Sequence, residues 1–215
     1  MTQGSVTREW VFAAAADERR AIADLVDSLT PDQLATPSLC VGWDVKTVVA
    51  HLISDFDDGF SGFLRSGIRR GGINRGIDAL ARQRAQAPTV ELVNTLRSRA
   101  DERLSPPVVG PRAGLADLLI HGADIRLPLG TAYEPDRERV VAVMDFLTGR
   151  TGTVFVSRKG LHGIALHDDD SGRSWGDGDA VHGPGWAIML AVCGRAVALA
   201  HLDGPGLNLL TSRIT

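Results

Sequence analysis

The segment that most constrains the fold is residues 114–128, which reads GLADLLIHGADIRLP. Its apolar residues lie on nearly all sides of a helical pattern, so we predict a helix that is largely buried. The same segment carries Asp117, then His121 four residues later and Asp124 three residues after that. Side chains at positions i and i+4 of a helix share a face. Because a buried charge is costly unless it is paired or bound to a metal, this helix needs an ionic partner.

The spacing of Asp117 and His121 does not by itself establish a metal site. With 26 acidic residues and 6 histidines in 215 positions, roughly one acid–x3–His pair is expected by chance. A structural or capping aspartate beside a core histidine is therefore an open alternative. The best further ligand is His51, which lies on the apolar face of another predicted helix. Two histidines and one carboxylate suit Zn²⁺, and also Fe²⁺ or Ni²⁺, and leave coordination positions open for water or a substrate thiol.

Helical patterns dominate residues 1–150, and short strand patterns follow them. Thr7 and Asp44 are predicted N-caps of two amphipathic helices, and about five main helices in this region predict a bundle. A helix is predicted after Pro184, behind three short strands. We therefore predict two domains, an all-α domain at 1–150 and a small α+β domain at 151–215. The predicted strands are residues 153–156, 161–167 and 173–175.

Charge and composition argue against several classes of protein. The formal net charge of −3 gives no electrostatic basis for binding nucleic acid or an anionic membrane. The two cysteines, Cys40 and Cys193, are far apart and form no CxxC motif, as expected in a reducing compartment. We expect neither a signal peptide nor a membrane span, and hence a cytoplasmic protein. The abundance of Ala, Arg, Gly and Asp over Lys, Phe and Tyr indicates a GC-rich bacterial genome.

Three segments carry a family resemblance that covers nearly the whole chain. The first is PSLCVGWDVKTVVAHL at 37–52, the second is DLLIHGADIRLPLG at 117–130, and the third is 183–210. The first two resemble motifs of the mycothiol-dependent maleylpyruvate isomerase family, which belongs to the DinB-like metal-binding bundles. The third is similar to the sterol-carrier-like domain often attached to them. The resemblance implies an N-terminal DinB-like four-helix bundle followed by a small α+β sterol-carrier-like domain.

The resemblance also implies roles for particular residues. His51, Asp117 and His121 would bind a divalent metal, with zinc favoured, and the actinobacterial thiol mycothiol would be the cosubstrate. The family's isomerase has glutamate where this chain has Asp117, so the metal would lie closer to the helix. Asp124 would either orient an imidazole or be a capping or surface carboxylate. Arg195 would either bind an anionic substrate or thiol cofactor, or only neutralise carbonyls at a helix C-terminus.

Two further groups of residues give weaker signals. Cys40 has no histidine close in sequence to activate its thiol, which favours a buried or inert cysteine. His162 and His167, beside the acidic residues 168–170, are a candidate surface metal site. A solvated hairpin turn is the better explanation of that segment from sequence.

The sequence therefore predicts a metal-dependent, thiol-utilising enzyme, either a mycothiol-dependent isomerase or an S-transferase, that acts on an electrophilic small molecule. Addition of a thiolate to an electron-poor alkene permits both outcomes. The alternatives are a non-catalytic metal- or small-ligand-binding protein of the same superfamily, and a bundle that has lost its metal. The expected partners are a small-molecule substrate and a low-molecular-weight thiol, with neither nucleic acid nor a membrane. The sequence does not specify the oligomeric state.

Overall fold

The computed structural model describes residues 6–57, 71–156 and 158–214. Two compact units divide the chain, Met1–Tyr133 and Glu134–Thr215. The first unit is helical, and the second combines helices with a small sheet. Among the described residues, no helix has both the length and the apolar character needed to cross a lipid bilayer.

The first unit is a bundle of helices. The described helices are α1 (Arg8–Asp27), α2 (Pro31–Leu34), α3 (Val45–Asp57), α4 (Ile73–Arg84), α5 (Thr89–Ser98) and α6 (Pro111–Arg126). Helix α1 packs against α5 and α6, and helix α3 packs against α4, α5 and α6. Helices α1, α3, α5 and α6 therefore enclose a shared core. This arrangement confirms the predicted helical bundle.

The core of the bundle consists of aliphatic side chains that are almost completely buried. Each of its helices contributes, as shown by Ile22, Ile53, Leu96 and Ile125. Burial of one such side chain stabilises the fold by about 1.5–3 kcal/mol. Most residues between 113 and 125 on α6 are buried. The segment predicted to form a largely buried helix does so.

Local sequence signals set the starts of the long helices. At the start of α1, Thr7 Oγ1 accepts a hydrogen bond from Trp10 N over 3.2 Å. At the start of α3, Asp44 Oδ1 accepts one from Thr47 N over 2.8 Å. Both predicted N-caps are confirmed, and each satisfies a backbone donor that has no partner within its helix. Because α3 carries His51, the Asp44 cap helps to fix where this imidazole enters the bundle.

The second unit combines helices with a mixed sheet. Its elements are α7 (Arg137–Leu147), a 3₁₀ helix (Gly152–Val154), α8 (Arg158–Leu161), β1 (Gly163–Asp168), β2 (Ser174–Gly176), β3 (Gly178–Gly183), α9 (Gly185–Val192), a second 3₁₀ helix (Ala196–His201) and α10 (Leu207–Ile214). In the described part of the chain, the sheet has three strands in the order β2-β1-β3. Strand β1 pairs antiparallel with β2 and parallel with β3. The predicted α+β class is confirmed.

One face of the sheet is buried and the other is partly exposed. Ile164 and Leu166 of β1 and Val181 of β3 are buried, and helix α9 packs against these strands. The alternate positions His167 and His182 are half-buried on the opposite face. This alternation follows from the two-residue period of a strand.

The strand predicted at 153–156 is wrong, because this segment closes local hydrogen bonds instead. Phe155 N and Val156 N both donate to Gly152 O, over 2.9 and 3.0 Å. A turn of this kind uses backbone groups that a strand would offer to a neighbouring strand. Strand β3, conversely, is missing from the prediction, because its Gly-Asp start is typical of a turn.

The domain boundary predicted at residue 150 falls inside the second compact unit, after α7. Helix α7 packs against α9, and its Asp145 accepts hydrogen bonds from Trp175 Nε1 over 2.7 Å and Arg173 Nη2 over 3.1 Å. The division into domains 1–150 and 151–215 stays a prediction.

The Tyr133 hydroxyl supports helix α6 from the segment that follows it. It donates to Leu119 O over 2.8 Å inside the unit, and burial raises the pKa of Tyr133, which keeps the phenol a donor. We expect Tyr133→Phe to lower the free energy of unfolding by about 0.5–1.5 kcal/mol, because one buried hydrogen bond is lost. Urea unfolding followed by circular dichroism measures this change.

A matched control is Ser98→Ala, which also removes a hydroxyl bonded to a helix carbonyl. Ser98 Oγ donates to Thr95 O over 3.3 Å on an exposed face, so the expected change is within about 0.5 kcal/mol. If both variants lost the same free energy of unfolding, burial would not explain the effect of Tyr133→Phe.

Candidate metal centre

Helices α3 and α6 bring the three predicted metal ligands together inside the first unit. His51 Nε2 lies 3.6 Å from Asp117 Oδ2, and His121 Nε2 lies 3.4 Å from Asp117 Oδ1. The centroids of the two imidazole rings are 4.9 Å apart. One ligand atom from each of the three residues lies within 4.8 Å of the others. Whether this cluster binds a metal stays a prediction.

The spacing of these donor atoms fits a shared cation. Hydrogen bonds from N–H to oxygen usually span about 2.7–3.2 Å, and both imidazole–Asp117 distances are longer. Donors held about 2.0–2.1 Å from a tetrahedral ion lie about 3.3–3.4 Å apart. Asp117 Oδ2 is buried and accepts no hydrogen bond from the described residues. His51, Asp117 and His121 therefore offer donor atoms of the right chemistry at separations that one divalent cation can bridge, and Asp117 presents a different oxygen to each imidazole.

Asp117 is largely buried between two imidazoles that favour its charged form. Burial raises the pKa of its carboxyl, but the imidazoles of His121 and His51 outweigh this effect and hold the pKa well below its usual range. Burial lowers the pKa of His121, but Asp117 and hydrogen bonds to neighbouring groups raise it well above its usual value. The three side chains are only 9–15% exposed. A carboxylate in this setting requires positive charge beside it, from a protonated imidazole or a metal ion.

Asp124 holds the opposite side of the His121 ring. Its Oδ2 lies 2.8 Å from His121 Nδ1. Asp124 is fully buried, so the alternative of a surface carboxylate does not agree with the structure. A proton on Nδ1 that is donated to Asp124 leaves Nε2 facing Asp117. Carboxylates placed in this way fix the tautomer and orientation of metal-binding histidines.

Cys40 is a contact of this site that the sequence analysis missed. Its Sγ lies 3.1 Å from Asp124 Oδ2 and 3.5 Å from His121 Nδ1. No histidine is close to Cys40 in sequence, but His121 lies beside it in space. Whether the Cys40 thiol is inert stays a prediction. The loop reaches α6 through Leu39 N, which donates to Asp124 O over 3.4 Å. Cys40 and His121 are 81 residues apart in sequence. A single cysteine forms no repeating pattern, so no local sequence signal predicts this contact.

Trp43 lines one side of the two imidazoles. Its ring centroid is 5.3 Å from that of His51 and 6.5 Å from that of His121. Trp43 Nε1 donates to Asp78 Oδ1 over 2.7 Å, which fixes the plane of the indole. An indole in this position limits the access of water to the cluster from that side.

Arg195 lies in the second unit, directly before the 3₁₀ helix at Ala196–His201. Its Nη1 donates to Cys193 O over 2.8 Å, just beyond the end of α9. This contact agrees with the alternative in which the arginine neutralises carbonyls at a helix C-terminus. Binding of an anionic substrate or thiol by Arg195 stays a prediction.

The fold and the cluster together define a class, a helical bundle with a candidate metal centre joined to a small mixed α/β unit. A family model described as the mycothiol maleylpyruvate isomerase N-terminal domain matches residues 15–170, which is more than half of the chain. The chain belongs to this family. The matched region includes His51, Asp117, His121 and Asp124, and the resemblance predicted from the motifs is confirmed.

Two solved structures share the fold over most of the chain. The crystal structure of the mycothiol-dependent maleylpyruvate isomerase matches with a TM-score of 0.63 and 13% identity, and the match covers 93% of each chain. The crystal structure of a histidine-to-alanine mutant of the mycothiol-dependent maleylpyruvate isomerase matches with a TM-score of 0.52 and 14% identity, again over 93% of each chain. No curated protein matches this chain in sequence. At these identities the likeness establishes the fold alone.

Proposed function

We propose that this protein is a metal-dependent enzyme that uses mycothiol to isomerise or conjugate an electrophilic small molecule. Membership of the mycothiol maleylpyruvate isomerase N-terminal domain family supports the use of a thiol. The observation that carries the proposal is the spacing of His51, Asp117 and His121, with donor atoms 3.4 and 3.6 Å apart in a buried cluster.

His51, Asp117 and His121 would hold the metal, for which Zn²⁺ is the favoured candidate. A divalent ion at this site supplies Lewis acidity, which lowers the pKa of a thiol so that thiolate is available near neutral pH. Asp124 Oδ2 lies 2.8 Å from His121 Nδ1, so Asp124 would hold the imidazole proton on Nδ1 and leave Nε2 as the metal-binding atom. Asp117 supplies the negative charge that a cationic site needs. Its side chain is shorter than the glutamate of the family's isomerase, so the ion would lie closer to α6.

Isomerisation and conjugation share their first step. The thiolate sulfur forms a C–S bond to one carbon of an electron-poor alkene, and the π electrons move into the electron-withdrawing group. The former double bond is then single and can rotate. Loss of the thiolate restores the alkene in its other configuration with no net change in composition. Protonation of the carbon instead gives a stable thioether, which is the transferase outcome.

The surroundings of the cluster favour isomerisation over conjugation. Proton delivery to the intermediate carbon leads to the thioether, so exclusion of water protects the isomerisation path. Trp43 lies beside both imidazoles, and the side chains of His51 and His121 are only about a tenth exposed. A thiol and substrate held here are therefore partly shielded from solvent protons.

The proposal is tested by turnover of the intact chain with mycothiol and zinc. Candidate substrates are small cis-alkenes conjugated to carbonyl or carboxyl groups, and proton NMR follows their conversion to the trans isomers. We expect conversion to require both mycothiol and metal. Removal of the metal with a chelator should lower kcat/KM by about 100-fold or more, since Lewis-acid activation contributes several kcal/mol.

The other outcomes separate the rival functions. Accumulation of a thioether assigns the S-transferase reaction. Binding of metal and mycothiol without conversion across a panel of cis-alkenes, epoxides and alkyl halides favours a non-catalytic ligand-binding protein. A natively purified chain that neither contains nor takes up a divalent metal rejects the proposal.

A further inference from the structure

The partly exposed face of the sheet carries two stacked histidines that the proposed reaction does not use. His167 on β1 and His182 on β3 are directly paired in the parallel register. Their ring centroids are 4.6 Å apart, and the ring planes differ by 13°. Both side chains are half-buried on this face. The residues that precede them, Leu166 and Val181, lie on the buried face.

Each of the two rings has an oxygen beside its Nδ1 atom. His167 Nδ1 lies 2.8 Å from Ser174 Oγ, and His182 Nδ1 lies 3.7 Å from Asp169 Oδ1. A hydroxyl can accept a hydrogen bond from an imidazole N–H, and a carboxylate attracts the same proton. A proton held on Nδ1 leaves the lone pair on Nε2, which is how metal-binding histidines are commonly prepared.

The two rings belong to a polar row that crosses the sheet. The register pairs Ser174 with His167, His167 with His182, and His182 with Asp203 in an antiparallel bridge. Directly paired residues on neighbouring strands project from the same face. Asp203 ends the row and Asp169 flanks it, so the imidazoles lie in a locally acidic setting. Such a setting attracts a cation.

We propose that His167 and His182 form a surface site for a divalent transition-metal ion such as Ni²⁺, Cu²⁺ or Zn²⁺. Imidazole is a ligand shared by these ions, at about 2.0–2.1 Å for zinc, so two nitrogens bound side by side to one ion lie about 3.0–3.4 Å apart. The two rings are stacked with centroids 4.6 Å apart, so both side chains must rotate for their Nε2 atoms to converge on one ion. Both side chains are only half-buried, which permits this rotation. The paired residues two positions earlier are Ala165 and Ala180, whose small side chains leave room for that rotation. Water completes the coordination.

The experiment is a Ni²⁺ titration of the intact, untagged chain by isothermal titration calorimetry. The chain first receives one equivalent of zinc, which the three-ligand candidate centre in the first unit should take in preference to the two-histidine pair, and is then dialysed. We expect one Ni²⁺ per chain, and His167→Asn or His182→Asn should weaken its binding by at least about tenfold, because loss of a ligand costs no less than loss of an outer hydrogen-bond partner. His162→Asn is the matched control, since His162 is exposed and lies outside the pair. Its affinity should equal that of the unmodified chain.

Proton NMR gives a second measurement that does not depend on affinity. Substoichiometric Ni²⁺ is paramagnetic and should broaden the ring signals of His167 and His182 before those of other histidines. Unchanged Ni²⁺ affinity in a variant that carries both His167→Asn and His182→Asn would overturn the proposal, and so would broadening centred elsewhere. The pair shares no residue with the candidate centre, so His51→Ala should still bind Ni²⁺ at this pair. Circular dichroism confirms that each variant is folded.

Discussion

Replacing His51 with alanine is expected to abolish binding of the divalent metal at the proposed centre, and with it the proposed mycothiol-dependent activity. Only Asp117 and His121 of the cluster remain in this variant, and both come from helix α6. Loss of a direct ligand should weaken metal affinity by more than the about 10–100-fold that follows loss of an outer hydrogen-bond partner. Elemental analysis after dialysis gives the metal-to-protein ratio. Competition with a chromophoric chelator gives the affinity, and kcat/KM reports the activity.

A second variant separates the charge of the cluster from its shape. Asp117→Asn keeps nearly the same volume but offers a neutral amide, so we expect it to lose the metal as well. The control is His162→Ala, which removes an exposed histidine from the second unit. This control should retain the metal in full. A His51→Ala chain that still holds one metal per molecule would contradict the assigned ligand set.

Helix starts and buried helix faces are predictable from this sequence because their causes are local. The Asp44 cap acts on the amide of Thr47, three residues away. Helix α9 begins after Pro184 and ends at Val192, as its apolar run predicts. Helix α6 follows from the same kind of signal, since apolar side chains on nearly all sides of a helix are typical of burial.

The sheet is predictable only in part, because strand pairing is not local. Strands β1 and β2 are close in sequence and form a hairpin-like antiparallel pair. Strand β3 owes its conformation to parallel pairing with β1, although Gly178-Asp179 on its own is typical of a turn. Residues 153–156 show the reverse case. Their β-branched composition suits a strand, but local bonds to Gly152 O decide the conformation.

The clustering of His51, Asp117 and His121 was predictable from the sequence, but the surroundings of the cluster were not. The i, i+4 spacing of Asp117 and His121 places both on one face of α6, and the family motif supplies His51 from α3. The contacts of Cys40 with His121 and Asp124 depend on the path of the loop before α3. No periodicity or capping rule describes that path. The surroundings of the cluster are therefore known only from coordinates, whereas its three members follow from the sequence.

Replacing Asp124 with asparagine is expected to weaken metal binding while the fold is kept. Asparagine has nearly the same shape, so its amide oxygen can take the place of Oδ2, which now lies 2.8 Å from His121 Nδ1 and 3.1 Å from Cys40 Sγ. The negative charge behind the imidazole is lost, and His121 becomes a weaker donor through Nε2. We expect about 10–100-fold lower metal affinity. Chelator competition measures the affinity, and thermal unfolding of the metal-free chain measures the stability.

The matched control for this change is Asp44→Asn, at the N-cap of the helix that carries His51. Asparagine caps helices about as well as aspartate, so neither metal affinity nor stability should change appreciably. Cys40→Ser is a further test, because a hydroxyl can still donate to Asp124 while the sulfur is absent. If Asp124→Asn lowered the thermal stability of the metal-free chain but left metal affinity unchanged, Asp124 would be a structural residue. If the free energy of metal binding falls by more than the free energy of unfolding of the metal-free chain, Asp124 is the group that positions His121.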